Sequence, residues 1–400
     1  MRAGVVYYKD YPENRGIAQL VSLLRRLGIG IDLVAASVNK GRIRVADPEI
    51  DYFGINKRPG RIVSTIYKPH PFVNLWEKHL VRLCERRRWD FIFVRESLLA
   101  NTCLAVGKRF AIPVFLDMRE NRPDMLKSVM SGSPFRFLLP IYLTLLGYYE
   151  KRFLPEFNHI FTVSRELRDW TVETYDIPAD RVDVLGNYPS SAILARAAKF
   201  SKTAWGERKR LSLVFSGNVD HTRGLQYILP AMGILAAKGV DVTMRVIGQG
   251  AYLARLKESA RDMGIYDRII FTDLVSPESL MATLSPYDAG VVTDRVNSHT
   301  NVTTPGKLFE YMAIGLPVLS SPRRSVIRIV KENRCGIIFQ SHDPHDIAEG
   351  MMALIDPEAR AGLGTAGMSA VAEKYSEDAN LKVLELALGK YITGRGIKKL

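Results

Sequence analysis

Short apolar runs of strand length alternate with amphipathic runs of helix length, and the series occurs twice along the chain. Val5–Tyr8, Ile31–Ala35, Phe91–Val94, Val114–Leu116, His159–Val163 and Val182–Leu185 read as strands. Helices are predicted between them over Ile17–Leu27, Phe72–Arg87, Leu98–Phe110 and from Ser164 to Tyr175, whereas the basic stretch 40–70, punctuated by Pro48, Pro59 and Pro69, reads as irregular. A second series runs from Leu211–Phe215 through Val242–Ile247, Ile269–Thr272, Ala289–Thr293 and Val318–Ser320 to Gly336–Phe339, again with helical segments between. Such alternation folds as parallel strands joined by crossover helices. The expectation is an α/β protein of two doubly wound, Rossmann-like domains, 1–190 and 210–377. A hinge is expected at 191–209, where composition shifts to Ser, Ala, Lys and Arg, and a last helix at 378–400 is expected to return to the first domain. Sheets of this kind bind ligands outside their strand carboxyl ends, so a cleft between the two domains is the expected site.

Composition narrows the class. Apolar residues make up 47% and charged residues 24%, which excludes wholesale disorder. Cys84, Cys103 and Cys335 share no metal-ligand spacing and cannot all pair, pointing to a reducing compartment. The strand-like start has no signal-peptide core, so a cytoplasmic location is expected. Net charge is +14, and residues 1–130 hold 23 Lys or Arg against 13 Asp or Glu. Such an excess attracts polyanions or anionic membranes. No zinc-finger spacing, aromatic-basic RNA signature or heptad array is present, so nucleic acid is not the expected partner. The uncharged run from Phe137 to Tyr149 is too short to span a bilayer. It reads either as an interfacial membrane element or as a core helix behind a turn at Pro140.

Three strand ends open into glycine turns or helix starts. In Asn301-Val-Thr-Thr-Pro-Gly-Lys-Leu-Phe-Glu310, Thr304 is the expected N-cap and Pro305 the first helical residue. The N–H groups of Gly306, Lys307 and Leu308 then face an anion favoured by the helix dipole. Glu310 shares a face with Lys307, in reach of ribose hydroxyls. Alternatively, this is a capped helix with a solvated Lys–Glu pair, which contributes only about 0.3 kcal/mol. Ser216-Gly217-Asn218 leads to Arg223-Gly224, and Val246-Ile-Gly248-Gln-Gly250 is a third such strand end. Neither has the spacing of a known phosphate loop, and taken alone each is better explained as a plain strand–turn–helix. His342 and His345 with Asp343 and Asp346 have a metal-like look, but helix capping at Asp343 accounts for them, and no metal site is predicted.

Taken in order, these segments with Ile269–Glu278, Tyr287–Val292 and Pro305-Gly-Lys-Leu-Phe-Glu-Tyr-Met-Ala-Ile-Gly-Leu-Pro-Val318 resemble the donor half of glycosyltransferase family 4, retaining enzymes of GT-B architecture. The resemblance covers about 155–390 well and the first 130 residues only in layout. It implies that Glu310 holds the nucleotide ribose and that Arg223 and Lys307 stabilise the diphosphate. Gly217, Asn218, Gly248, Thr303, Thr304 and Gly306 would complete the phosphate and sugar cradle, with Leu274 and Val275 at the base. The family motif's first glutamate is replaced by Val302, so the sugar contact falls to Thr303, Thr304 or elsewhere, and Asn218 stands where many members carry arginine. On the acceptor side, Asp117, Arg119 and Glu120 match a family loop, Glu120 being a candidate catalytic group; mutual pairing of these loop charges is the alternative. Glu13-Asn-Arg-Gly16 resembles, weakly, the loop over the diphosphate. The implied activity is retaining hexosyl transfer from a nucleotide-sugar, without metal or cofactor, to a glycan or polyprenyl-phosphate-linked acceptor at the cytoplasmic membrane face. A sugar-nucleotide 2-epimerase and a non-catalytic nucleotide-sugar or glycan-binding protein are the alternatives.

Overall fold

The computed structural model describes residues 1–9, 15–36, 50–54, 76–130, 136–201 and 210–392. The chain forms two compact units: Met1–Gly186 together with the segment from Asp378 onward, and Asn187–Glu377.

In the first unit the described strands are β1 (Arg2–Tyr7), β2 (Gly30–Ala35), β3 (Ile50–Gly54), β4 (Phe91–Arg95), β5 (Val114–Met118), β6 (His159–Thr162) and β7 (Val182–Val184). They make one parallel sheet in the order β3-β2-β1-β4-β5-β6-β7. Val5 pairs with Leu33 on one side and Phe93 on the other. Alternate side chains feed two cores, as a sheet covered on both faces requires. Val5, Leu33, Phe93, Phe115 and Phe161 meet the helix Arg15–Arg26 and Leu381, Leu384, Ala387 and Leu388 of the helix Glu377–Gly389. Val6, Val94, Leu116 and Ile160 meet Trp76, Leu80, Cys103 and Leu146 on the opposite face. The strand β3 lies inside the stretch expected to be irregular; the rest of that stretch, 40–49 and 55–70, falls outside the described residues.

The second unit repeats the plan with β8 (Arg210–Ser216), β9 (Asp241–Ile247), β10 (Ile269–Thr272), β11 (Ala289–Val292), β12 (Val318–Ser320) and β13 (Gly336–Ile338), parallel in the order β10-β9-β8-β11-β12-β13. The stretch expected to be a hinge begins with a helix, Ser191–Phe200, capped by Ser190 Oγ at 3.3 Å from the Ile193 amide, and its Ala197 is buried in this unit's core. Residues 202–209 lie outside the described set. The helix Pro357–Lys374 has no counterpart in the sequence reading. Its buried face carries Arg360, Gly364, Gly367, Ala370 and Val371, mostly small residues, so no strong apolar stripe announces it. A Cβ on Gly367 would sit 3.4–3.5 Å from Cys335 and Met312, which fits close helix contact through small residues.

The apolar run 137–149 lies mostly in the helix Leu139–Phe153. Pro140 occupies its first turn, so it opens the helix instead of breaking it. Leu146 and Tyr149 face the core, and buried Glu150 accepts from Ser97 Oγ at 2.7 Å and Tyr175 OH at 2.6 Å. Phe137, Leu138, Ile141, Leu145 and Tyr148 are exposed, Tyr148 at 78%. The segment is thus a helix with one face in the core and one apolar face exposed. Among the described residues no helix is long and apolar enough to cross a membrane.

Candidate functional site

In both sheets the strand order reverses once, between β1 and β4 and between β8 and β11. Loops leave on opposite faces at such a point and open a crevice beyond the strand carboxyl ends. In the second unit that crevice collects most of the predicted donor residues.

Bare backbone forms its floor. Gly248, at φ +153°, follows β9, and a Cβ there would lie 1.8 Å from the Gly217 carbonyl oxygen. Gly224, at φ +73°, packs so closely on β11 that a Cβ would lie 1.9 Å from the Thr293 oxygen. Only glycine accommodates either approach. The turn His221–Arg223 is thereby fixed beside β11, and Asp220 caps it through the Thr222 amide at 3.0 Å. Asn218 Nδ2 is held by Asp220 at 2.7 Å.

Two cations lie around Asp294. Arg223, still partly exposed, places Nη1 2.7 Å from Asp294 Oδ1. Lys307 Nζ lies 3.8 Å from the Phe215 ring centroid, a cation–π contact. It is also 3.7 Å from where a Gly217 Cβ would stand. Burial pushes Lys307 down to about 8; Asp294 opposes that shift, while Arg223 and Arg323 add to it. Asp294 itself is buried, which favours protonation, but Lys307, Arg323 and Arg223 outweigh burial and hold its carboxyl well below the usual range. Neither Asp294 nor Arg323 was found from sequence. Their roles depend on β11 and β12 lying side by side, which no local motif encodes.

The helix beside them starts one residue later than expected. It spans Gly306–Ala313 with extended Pro305 at the N-cap and no side-chain cap, so Thr304 is not the cap. The Leu308 amide donates to Pro305 O at 3.2 Å, leaving the Gly306 and Lys307 amides as first-turn donors without intrahelical acceptors. Glu310 lies one turn further, near enough to raise the Lys307 pKa. Val302 is buried, consistent with an apolar residue there. Thr303 Oγ1 donates to His299 O at 3.3 Å and accepts from Arg323 at 3.2 Å, so it is engaged within the protein. Thr304 is the contrast: its hydroxyl is buried and has no hydrogen-bond partner. Such a group costs roughly 1–3 kcal/mol unless a ligand satisfies it. Of the base-side pair, Leu274 is 58% exposed and Val275 packs on the core.

In the first unit buried Asp117 and partly buried Arg119 are paired, which is the alternative reading of these loop charges. Asp117 meets Arg95 at 2.7 Å and Arg119 at 3.4 Å, and Arg119 also donates to Leu185 O at 2.6 Å and Gln19 Oε1 at 3.0 Å. Glu120 is partly exposed. Glu96, which the sequence reading passed over, follows β4 at that sheet's reversal point in the left-handed region, φ +70°. Burial and repulsion by Glu120 push its carboxyl up to about 7 against the pull of Arg122, 3.5 Å away, and of Arg95. A strained, buried carboxyl at a strand end is a common mark of a functional position. Gly16 lies in the first turn of Arg15–Arg26, while residues 13 and 14 of its motif fall outside the described set. Asp343 caps its helix through the His345 amide at 2.8 Å, and no group of three or more potential metal ligands occurs among the described residues.

Residues 196–368 match the family described as glycosyl transferases group 1, and residues 14–188 match the glycosyl transferase 4-like domain. An uncharacterized glycosyltransferase of Methanocaldococcus jannaschii is 22% identical over 226 residues, 55% of this chain and 56% of that protein. A GDP-mannose-dependent alpha-(1-6)-phosphatidylinositol monomannoside mannosyltransferase of Mycobacterium tuberculosis is 24% identical over 187 residues, 46% of this chain and 48% of that protein. The chain thus spans about half the length of the curated relatives it matches. Among solved structures, Anabaena HepE in complex with UDP and glucose superposes with a TM-score of 0.71 at 12% identity, covering 98% of this chain and 100% of that one. That likeness and the two parallel sheets identify the GT-B fold. With family matches across both units, the chain belongs to the group 1, family 4-type glycosyltransferases.

Proposed function

We propose that this protein is a retaining transferase that moves a hexosyl group from a nucleotide-sugar to a glycan or polyprenyl-phosphate-linked acceptor on the cytoplasmic membrane face. The observation that supports the reading is that Arg223 and Lys307 lie about Asp294 at the reversal point, next to a helix start whose first amides lack intrahelical acceptors and a buried Thr304 hydroxyl without a partner. Glu310, one turn along the same helix, is the residue this reading assigns to the ribose. In the transfer, the bond between anomeric carbon and diphosphate oxygen breaks first. Arg223, Lys307 and the helix start stabilise the charge gathering on the leaving diphosphate, the largest contribution in sites of this kind. The acceptor oxygen then bonds the anomeric carbon on the face the diphosphate leaves, while that phosphate takes the hydroxyl's proton, so configuration is retained. The cations do the work a metal does elsewhere, and chelation by EDTA is expected to leave the rate unchanged.

The acceptor reading is supported by the exposed stripe on Leu139–Phe153 and the basic excess of residues 1–130. The lipid acceptor in the mycobacterial relative's name points the same way. The test is a thermal-shift screen against UDP-, GDP-, ADP- and dTDP-sugars, followed by nucleotide-release assays with and without acceptor. A ligand at 100 times its dissociation constant stabilises by about 2.7 kcal/mol. No shift with any nucleotide-sugar overturns the donor assignment, and nucleotide release or sugar conversion without acceptor favours an epimerase.

A further inference from the structure

Arg323 is buried at the N-cap of the helix Arg324–Asn333, just past β12, and every nitrogen of its guanidinium is engaged. Nη1 meets Asp294 Oδ2 at 2.9 Å. Nε donates to Thr300 O at 3.0 Å, and Nη2 to Thr303 O at 2.6 Å. The next two residues grip the same loop, the Arg324 amide donating to Asn301 Oδ1 at 3.1 Å and Ser325 Oγ to Thr303 O at 2.8 Å. Three consecutive residues therefore clamp the segment that delivers Thr304, Gly306 and Lys307 to the crevice. In a planar trans peptide the Thr304 N–H is antiparallel to the Thr303 carbonyl, so fixing that carbonyl fixes the direction of the N–H. Asp294 joins this clamp to Arg223 through its other oxygen.

We propose that Arg323 is the positioning residue of the donor cradle: it sets the backbone before helix Gly306–Ala313 and, through Asp294, the place of Arg223. The inference rests on the nucleotide reading above, but predicts an effect from a side chain that does not itself line the phosphate. A planar fork suits two carbonyls and a carboxylate at once, whereas a lysine offers one point charge.

The test is calorimetric titration of the full chain with UDP, GDP, ADP and dTDP. Wild type is expected to bind at least one, and binding of none overturns the nucleotide reading and this inference with it. For the diphosphate that binds, Arg323→Met is expected to weaken Kd at least tenfold, and Arg323→Lys to recover only part of that loss. A Kd within twofold of wild type in Arg323→Met overturns the proposal while leaving the nucleotide site intact. So does a fall in binding stoichiometry at constant Kd, which is what a purely stabilising residue produces. If Arg323→Met does not fold, Ser325→Ala removes one donor from Thr303 O at little structural cost; about a threefold weaker Kd supports the clamp, and an unchanged Kd overturns it.

Discussion

Lys307 is the side chain whose charge the surrounding fold adjusts most usefully. Its pKa of about 8 in the free protein means that a diphosphate, which favours the ammonium form, binds with proton uptake at alkaline pH. Affinity for a nucleoside diphosphate is therefore expected to be flat below about pH 7 and to fall above pH 8, approaching tenfold per pH unit. Titrations across that range check it, and Lys307→Arg should remove the alkaline limb because arginine stays charged. Glu310→Ala should raise the donor KM more than it lowers kcat, since ribose contacts serve ground and transition states alike. Arg223→Ala should lower kcat by roughly 10²–10³, the usual effect of deleting one preorganised donor. These three were legible in sequence because each follows a strand end or sits in one short helical motif. Asp294 and Arg323 were not: 29 positions separate them, and only the pairing of β11 with β12 brings them to 2.9 Å.

The helix Leu139–Phe153 shows what periodicity conveys and what it leaves open. An uncharged run with apolar residues on every face says only that both sides of the helix are apolar. Which side meets the core was decided by Glu150, whose ties to Ser97 and Tyr175 fix the helix rotation. The outward stripe, with Lys151 and Arg152 at its end, suits an anionic bilayer. Each apolar side chain transferred contributes roughly 1.5–3 kcal/mol. Ile141, Leu145 and Tyr148 changed together to Ser should leave thermal stability nearly unchanged and greatly reduce co-sedimentation with phosphatidylglycerol vesicles. Failure of wild type to bind such vesicles even at low salt would remove the membrane-acceptor reading. Elsewhere the strands were legible from β-branched and aromatic runs, while Pro357–Lys374 was hidden because small residues and a buried arginine make most of its contact.

Across the whole chain, the two units have separate sheets and separate cores, so ligand and surface effects should separate too. A nucleoside diphosphate is expected to slow amide exchange chiefly within 187–377, around the β8–β11 crevice. Exchange mass spectrometry checks this; equal protection throughout 1–186 would place the ligand elsewhere. Raising salt should weaken vesicle attachment only in part, because charges are screened over about 8 Å at physiological ionic strength while the apolar stripe is not. The doubly wound layout was legible from alternation alone. The membership of the last helix in the first core is a long-range fact: Leu381, Leu384, Ala387 and Leu388 fill a face formed by strands more than two hundred residues earlier. That return has a practical meaning for anyone dividing the protein. A recombinant piece ending at 186 would carry an open apolar trough where those four side chains belong, and would aggregate. The same piece joined by a short linker to 378–392 would close the trough and stay in solution.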